Sequence, residues 1–201
     1  MGEILIREAL AEDALALAEV AIMAGHGVME LLYEGLLPGK SLAETIIDRR
    51  IAAPASFSAL GRWRVATDAA GGILGALNSF PSAVLLDAPP DPLLDEARLA
   101  PLAALSELEA ACRDSYSVNI IAVFPRHRGS GAGAALMREA ERLARAEGFR
   151  RMSLCTFESD PALLGFYRRH GFEVQATCPI GEHPAFTASG NFALMTRELE
   201  G

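Results

Sequence analysis

Cysteine is scarce: Cys112, Cys155 and Cys178 stand far apart in 201 residues and share no paired metal-ligand spacing. That speaks against a disulfide framework or a zinc ribbon and predicts reduced, buried thiols. No ligand spacing links the four histidines either, so no metal is expected. Positive charge is also short. A formal net charge of −8 removes the global basic footprint of a nucleic-acid binder and fits a cationic or neutral small substrate. No uncharged apolar run reaches bilayer-spanning length, so no membrane partner is expected. The opening Met1-Gly2-Glu3-Ile4-Leu5-Ile6-Arg7 lacks the basic start and long apolar core of a secretory signal. Gly2 could invite myristoylation, but Ile6 stands where Ser or Thr is needed. The expected location is cytoplasmic.

What is present is a globular composition, 51% hydrophobic and 22% charged, long enough for one large domain or one domain with an insertion. Ile4-Leu5-Ile6 reads as a strand, and Glu12-Asp13 open a helical pattern that Gly25-His26-Gly27 interrupts. Helical periodicity resumes from Val28 to Leu37. Ser41 and Glu44 form a capping box for another helix, which runs to Ile51. Residues 62–67 and 73–78 read as a β-hairpin around an Asp/Gly turn. Pro81, Pro89, Pro90 and Pro92 forbid long regular structure, and Leu99 to Cys112 is helical again. Residues 81–116 are therefore predicted to be an insertion between strands, too short for a core of its own. Further on come a strand at 151–156, a helix from Asp160-Pro161 closed by Gly171, and strands at 172–177 and 191–197. Such an order predicts an α+β, or mixed α/β, sheet with a parallel step near its centre.

The most informative stretch is 117–148. Ser117 to Phe124 is a β-branched run, Pro125 to Ala134 a basic glycine-rich turn, and an amphipathic Ala/Leu/Arg/Glu helix follows directly. Free amides at a helix start form an anion site, with Arg126 and Arg128 adding donors. A glycine turn that merely packs a helix onto a sheet is the competing explanation. Gly129, Gly131 and Ala134 also satisfy G-x-G-x-x-A. However, four residues separate the strand from the first glycine, and the acid Glu158 comes too late for a dinucleotide fingerprint. A Walker A loop fails there, since the turn holds no Gly-Lys-Ser/Thr.

Strand, then Val123-Phe124-Pro125, then Arg128-x-x-Gly131-x-Gly133 and a helix resembles the acyl-CoA motif of the GNAT superfamily of N-acetyltransferases. Residues 160–172 resemble that family's second signature, Asn-x-x-Ala-x-x-Leu-Tyr-x-x-x-Gly-Phe. Tyr167, Gly171 and Phe172 match it, while Asp160 and Leu163 replace the usual Asn and Ala. The resemblance implies one GNAT-like domain over 1–201, with the 81–116 insertion outside the basic pattern. It also implies a central twisted mixed sheet of about six to seven strands whose central pair splays apart. Acetyl-CoA would be the co-substrate, held by Arg128, Gly129, Ser130, Gly131, Ala132, Gly133 and Ala134. Its pantetheine arm would run along Ile121, Ala122 and Val123, with an amide near Val123 polarising the thioester. Tyr167 would protonate the departing thiolate and Asp160 would contact the coenzyme.

Glu158 is one candidate base for the amine. Asn119, taken to share a strand face with Ser117 and Ile121, could position it; Glu30 and Glu34 lie on helices that cap the acceptor side in this family. For each acid a solvated face is the plainer explanation. His26 reads as a turn residue and His170 as a helix end. The expected function is acetyl transfer to a primary amine of a small molecule or peptide, the alternative being a catalytically degenerate acyl-CoA-binding regulatory module. A homodimer is one option for assembly.

Overall fold

A computed structural model describes residues 2–200. Seven strands form one sheet: β1 (Leu5–Glu8), β2 (Trp63–Thr67), β3 (Ile73–Pro81), β4 (Tyr116–Val123), β5 (Arg151–Phe157), β6 (Glu173–Pro179) and β7 (Asn191–Glu198). Their order is β1-β2-β3-β4-β5-β7-β6, and β4–β5 is the single parallel pairing. Eight α-helices surround the sheet: α1 (Ala14–Gly25), α2 (Val28–Tyr33), α3 (Leu42–Ile46), α4 (Ser82–Leu86), α5 (Glu96–Leu99), α6 (Ala103–Ala110), α7 (Ala132–Ala146) and α8 (Pro161–Arg169). The mixed class, the strand number and the central parallel step agree with the sequence reading.

Two cores lie on opposite sheet faces. One gathers Leu17, Val20, Leu31, Ile46, Trp63 and Ile120 beneath the early helices; the other gathers Leu77, Val118, Leu136, Met137 and Leu154 with α7 and α8. Helix α7 forms because its sequence agrees with its place. Ala132, Leu136, Met137, Ala140 and Ala144 are buried, while Glu139–Arg142 and Glu141–Arg145 pair on the outer side. Each large apolar side chain so buried contributes about 1.5–3 kcal/mol.

The pairing of β4 with β5 covers only Tyr116–Met152 and Ser117–Ser153; beyond Ser117 the strands part. A bulge sits at that fork. Asn78 faces Ile120 and Ser79 faces Val118, so Asn119 is an extra residue in β4. One added residue inverts the alternation. Tyr116 and Val118 join the α7-side core, whereas Ile120 joins the opposite core and Ile121 and Val123 turn toward α7. The expectation that Ser117, Asn119 and Ile121 share a face is thereby corrected. At the far end, close approach is demanded by Gly75, whose added Cβ would lie 2.3 Å from the Ala122 carbonyl oxygen.

Two helices differ from their periodic patterns. Helix α2 stops at Tyr33 and not at Leu37, because Glu34 is extended, Gly35 has φ +65°, and the Arg98 guanidinium takes the carbonyls of Leu31, Leu32 and Glu34. The helix capped by the Ser41–Glu44 box widens into a π-helical turn over Ile47–Ile51. The segment joining β3 to β4 is 82–115, since Pro81 still pairs with Tyr116. It carries α4, α5 and α6, lays α6 on β6 and β7, and is tied down by Arg98 and by an Arg49–Asp91 ion pair.

Candidate functional site

The glycine turn begins as a 3-10 turn over Pro125–His127, after which Arg128 is extended and exposed. Gly129 (φ +78°) and Gly131 (φ +94°) adopt left-handed backbone, which turns the chain into α7. The first helical bond runs from Ala135 N–H to the Gly131 carbonyl. The amides of Ala132, Gly133 and Ala134 precede it, and among the three Ser130 Oγ engages only that of Ala132, at 3.3 Å.

The space around each glycine bears on whether the turn is needed for packing. An added Cβ at Gly129 would meet nothing within 4 Å, one at Gly131 only Ile4 at 3.7 Å, and one at Gly133 only ordinary contact with Phe166 and Val123. Gly133 is helical without a positive φ, so neither conformation nor packing requires it to lack a side chain. A helical Gly costs about 0.5–1 kcal/mol against Ala, and neither packing nor backbone conformation here offsets that cost.

Beside this cradle, Ile121, Ala122 and Val123 pair through one edge with Leu77, Ala76 and Gly75, while the other edge faces the gap left by β5. Tyr167 of α8 is 5% exposed, against Phe166 and Phe172 at 5.4 and 6.2 Å between ring centroids. Burial, aided by the Asp160 charge, pushes its phenol far above the ordinary range, so it keeps its proton at neutral pH. Asp160 is the N-cap of α8: its Oδ1 accepts from Leu163 N–H at 2.9 Å. These groups can together bind an anion, seat an extended ligand along β4 and donate a proton.

Other sequence-derived candidates scatter. Glu158 is exposed and accepts from Asn191 Nδ2 at 2.8 Å. Glu34 is exposed at the end of α2. Glu30 is half-buried, and its Oε2 is shielded from solvent without a hydrogen-bond partner. Asn119 donates to Asn78 Oδ1 at 2.9 Å from the bulge. His26 is the turn residue expected, with φ 46°, its ring 4.6 Å from that of Phe157 and its carbonyl accepting from Thr187 N–H.

Pattern reading missed Glu109. Where β4 and β5 part, a cavity of about 30 Å³ is lined by Ser82, Leu86, Glu109, Ser117, Asn119 and Cys155. Burial pushes the Glu109 carboxyl up to about 7, against the opposing field of Arg50. Arg50 itself is 5% exposed, stacked over Phe57 and near Tyr33. The only sequence signal near Glu109 is its place on the 99–112 helix, one residue after the buried Leu108. All three cysteines are unpaired and belong to or pack against one core, with Cys155 raised by burial and by Glu109, and Cys178 by burial, then Glu107 and Glu109. Among the described residues no group of three or more His, Cys, Asp or Glu could hold a metal ion, and no helix is long and apolar enough to cross a membrane.

Residues 100–172 match the model of the Acetyltransferase (GNAT) family. No curated protein matches the chain. Solved structures of the same fold include a GCN5-related N-acetyltransferase from Kribbella flavida, with 22% identity, TM-score 0.59 and 98% of each chain covered. An N-acetyltransferase from Staphylococcus aureus Mu50 is 18% identical with TM-score 0.67, over 96% of this chain and 99% of that one. Polyamine N-acetyltransferase of Drosophila melanogaster, which forms N-acetylagmatine, is 15% identical with TM-score 0.64, over 98% and 100%.

Proposed function

Because residues 100–172 match the model of the acetyltransferase (GNAT) family, we propose that this protein transfers an acetyl group directly from acetyl-CoA to a primary amine of a small molecule or peptide. The observation that carries the reading is Gly133, a helical glycine of ordinary φ whose added Cβ would meet only van der Waals contacts with Phe166 and Val123, at the mouth of a cationic turn. Residues 128–134 would hold the coenzyme's phosphates through backbone amides, and the open edge of 121–123 would pair with its pantetheine amides. An amide near Val123 would stabilise the oxyanion of the tetrahedral intermediate. Tyr167, protonated by burial, would hand its proton to the leaving thiolate. Asp160 would serve this arrangement by capping α8, the helix that carries Tyr167.

The unit extends over the whole chain, with 82–115 forming one wall of the acceptor side beside α2 and the loop at 180–190. Gly27 belongs to that side: its added Cβ would lie 2.0 Å from the Ala185 carbonyl oxygen, so the turn and the loop fit only without a side chain. Glu30 and Asn119 are the sequence-derived candidates that remain partly shielded, and Glu158 is left to the surface. We place the protein in the cytoplasm on the same reading.

A thermal-shift comparison of acetyl-CoA, CoA and NAD, followed by CoA release with a panel of amines, tests the proposal. Stabilisation by acetyl-CoA and amine-dependent CoA release are expected. A shift with NAD and none with acetyl-CoA would overturn it; acetyl-CoA binding without CoA release from any amine would leave a binding module in its place.

A further inference from the structure

Transfer to an amine needs a group that removes a proton from the acceptor ammonium, and the donor machinery supplies none. The fold brings one ionisable carboxyl to the fork between the central strands, from an unexpected direction. Glu109 extends from α6 of the insertion into the cavity that Ser117 and Asn119 of β4 and Cys155 of β5 also line. That volume, about 30 Å³, suits an ammonium group or one water. The open edge of β4, along which the acetyl thioester would lie, borders the same gap.

We propose that Glu109 is the general base of the acetyl transfer, accepting the ammonium proton directly or through one water in this cavity. The inference rests on the acetyltransferase reading above. One proton passes from R–NH3+ to the Glu109 carboxylate, and the freed lone pair forms the C–N bond at the acetyl carbon. As the carbonyl re-forms, the C–S bond breaks. Tyr167 gives its proton to the thiolate and regains one from the second proton leaving nitrogen, while Glu109 returns its proton to water.

The surroundings suit that task. Arg50, on the π-helical turn, supplies a positive field but no hydrogen bond, so the carboxylate stays free to accept a proton. Cys155 from β5, Cys178 from β6 and Cys112 in the turn just past α6 are thiols raised by burial, hence neutral and no rivals as bases. From β4 come neutral Ser117, Val118 and Asn119, and from α4 neutral Ser82, Leu85 and Leu86. A carboxyl pushed up to about 7 is half ionised at neutral pH and still a competent acceptor.

Glu109→Gln in the full-length protein tests this, with saturating acetyl-CoA and agmatine, spermidine, phenethylamine and a lysine peptide as acceptors. For wild type, kcat/KM for the amine should rise with pH through an ascending limb near 7. In Glu109→Gln that limb should vanish and the rate at neutral pH fall about 100-fold. Acetyl-CoA affinity should not change, and Glu109→Asp should restore part of the rate. A Gln variant with wild-type rate and an unmoved limb would overturn the assignment. Carboxyl-13C NMR of glutamate-labelled protein reads the same group without turnover: a resonance titrating near 7 should disappear in Glu109→Gln, and its absence from wild type would also overturn the proposal. If acetyl-CoA neither binds nor turns over, the acetyltransferase reading fails and the role of Glu109 with it. If both occur regardless of residue 109, only the base is lost.

Discussion

Gly133→Ala sets folding stability against coenzyme affinity in a single methyl group. Gly133 lies in the first turn of α7 with ordinary helical φ, and the new Cβ would stand 3.5 Å from the Phe166 ring and 3.7 Å from Val123 Cγ2. Those are van der Waals distances, so the methyl fits. Alanine loses less backbone entropy than glycine in a helix, worth up to about 1 kcal/mol in mid-helix and less in a first turn. A gain of about 0.5 kcal/mol raises Tm by roughly 1–2 °C for a chain of this length. The same methyl would occupy the approach to the amides of Gly133 and Ala134. Losing one hydrogen bond to a charged phosphate costs about 1.5–3 kcal/mol, roughly a 10- to 100-fold weaker Kd. Calorimetric titration with acetyl-CoA and a thermal melt without ligand read the two effects separately. Unchanged affinity would refute the cradle at this residue. A destabilised apo protein would show instead that Gly133 serves packing.

Tyr167→Phe should lower kcat about 100-fold while acetyl-CoA affinity holds. Because burial raises the phenol above its ordinary 10.0, wild-type kcat should show no descending limb as far as pH 10; such a limb, or an unchanged rate in the variant, counts against Tyr167 as acid. Glu109→Gln should stabilise the protein at high pH. The folded carboxyl is raised from 4.5 to about 7, so the folded state binds its proton more tightly than the unfolded chain does. Stability is therefore greatest below about 4.5, falls as pH rises toward 7 and stays lower above it. Urea melts should show no difference between the two proteins at pH 4 and a gain for the variant approaching 3 kcal/mol in order of magnitude at pH 8. Arg98→Ala removes the guanidinium that ties α5 to the end of α2. It should cost about 1–2 kcal/mol in a urea melt and raise the amine KM without altering acetyl-CoA affinity. A shift in acetyl-CoA affinity instead would mean that the insertion does not act on the acceptor side.

The glycine turn and the start of α8 were legible because they are local. A strand, a turn and a helix adjoin in 117–148, and left-handed glycines, a bare helix start and an Asp-Pro N-cap are each set by neighbours within a few residues. The Ser41–Glu44 box was equally plain, both its bonds forming as the spacing requires. What escaped the sequence depends on distant partners. Helical periodicity runs on past Tyr33, yet Arg98 takes the final carbonyls and stops the helix there. Asn119 looks like any alternating strand residue; only its register against Asn78 and Ser79 reveals the bulge. Glu109 sits on what reads as an ordinary amphipathic helix, and only the docking of that helix on β6 and β7 turns it toward the fork.

The bulge connects these halves. Without Asn119 the strand would keep one alternation from Tyr116 to Val123, and the residues lining the gap would change face at Ile121 and Val123. With it, Ile121 and Val123 brace against α7 and the glycine turn, while Ser117 and Asn119 face the insertion helix. The register to β5 also ends there, which leaves backbone groups unpaired in a strand that is otherwise half-buried. Unsatisfied backbone amides in such a place are costly, of order 1–3 kcal/mol each, unless a ligand or water pairs with them. A ligand extended along β4 would satisfy that edge, and the carboxyl across the fork would hold a charge the core does not favour. Both are departures from stability at one point of the sheet, and they converge where the acetyl carbon and the amine nitrogen would have to meet.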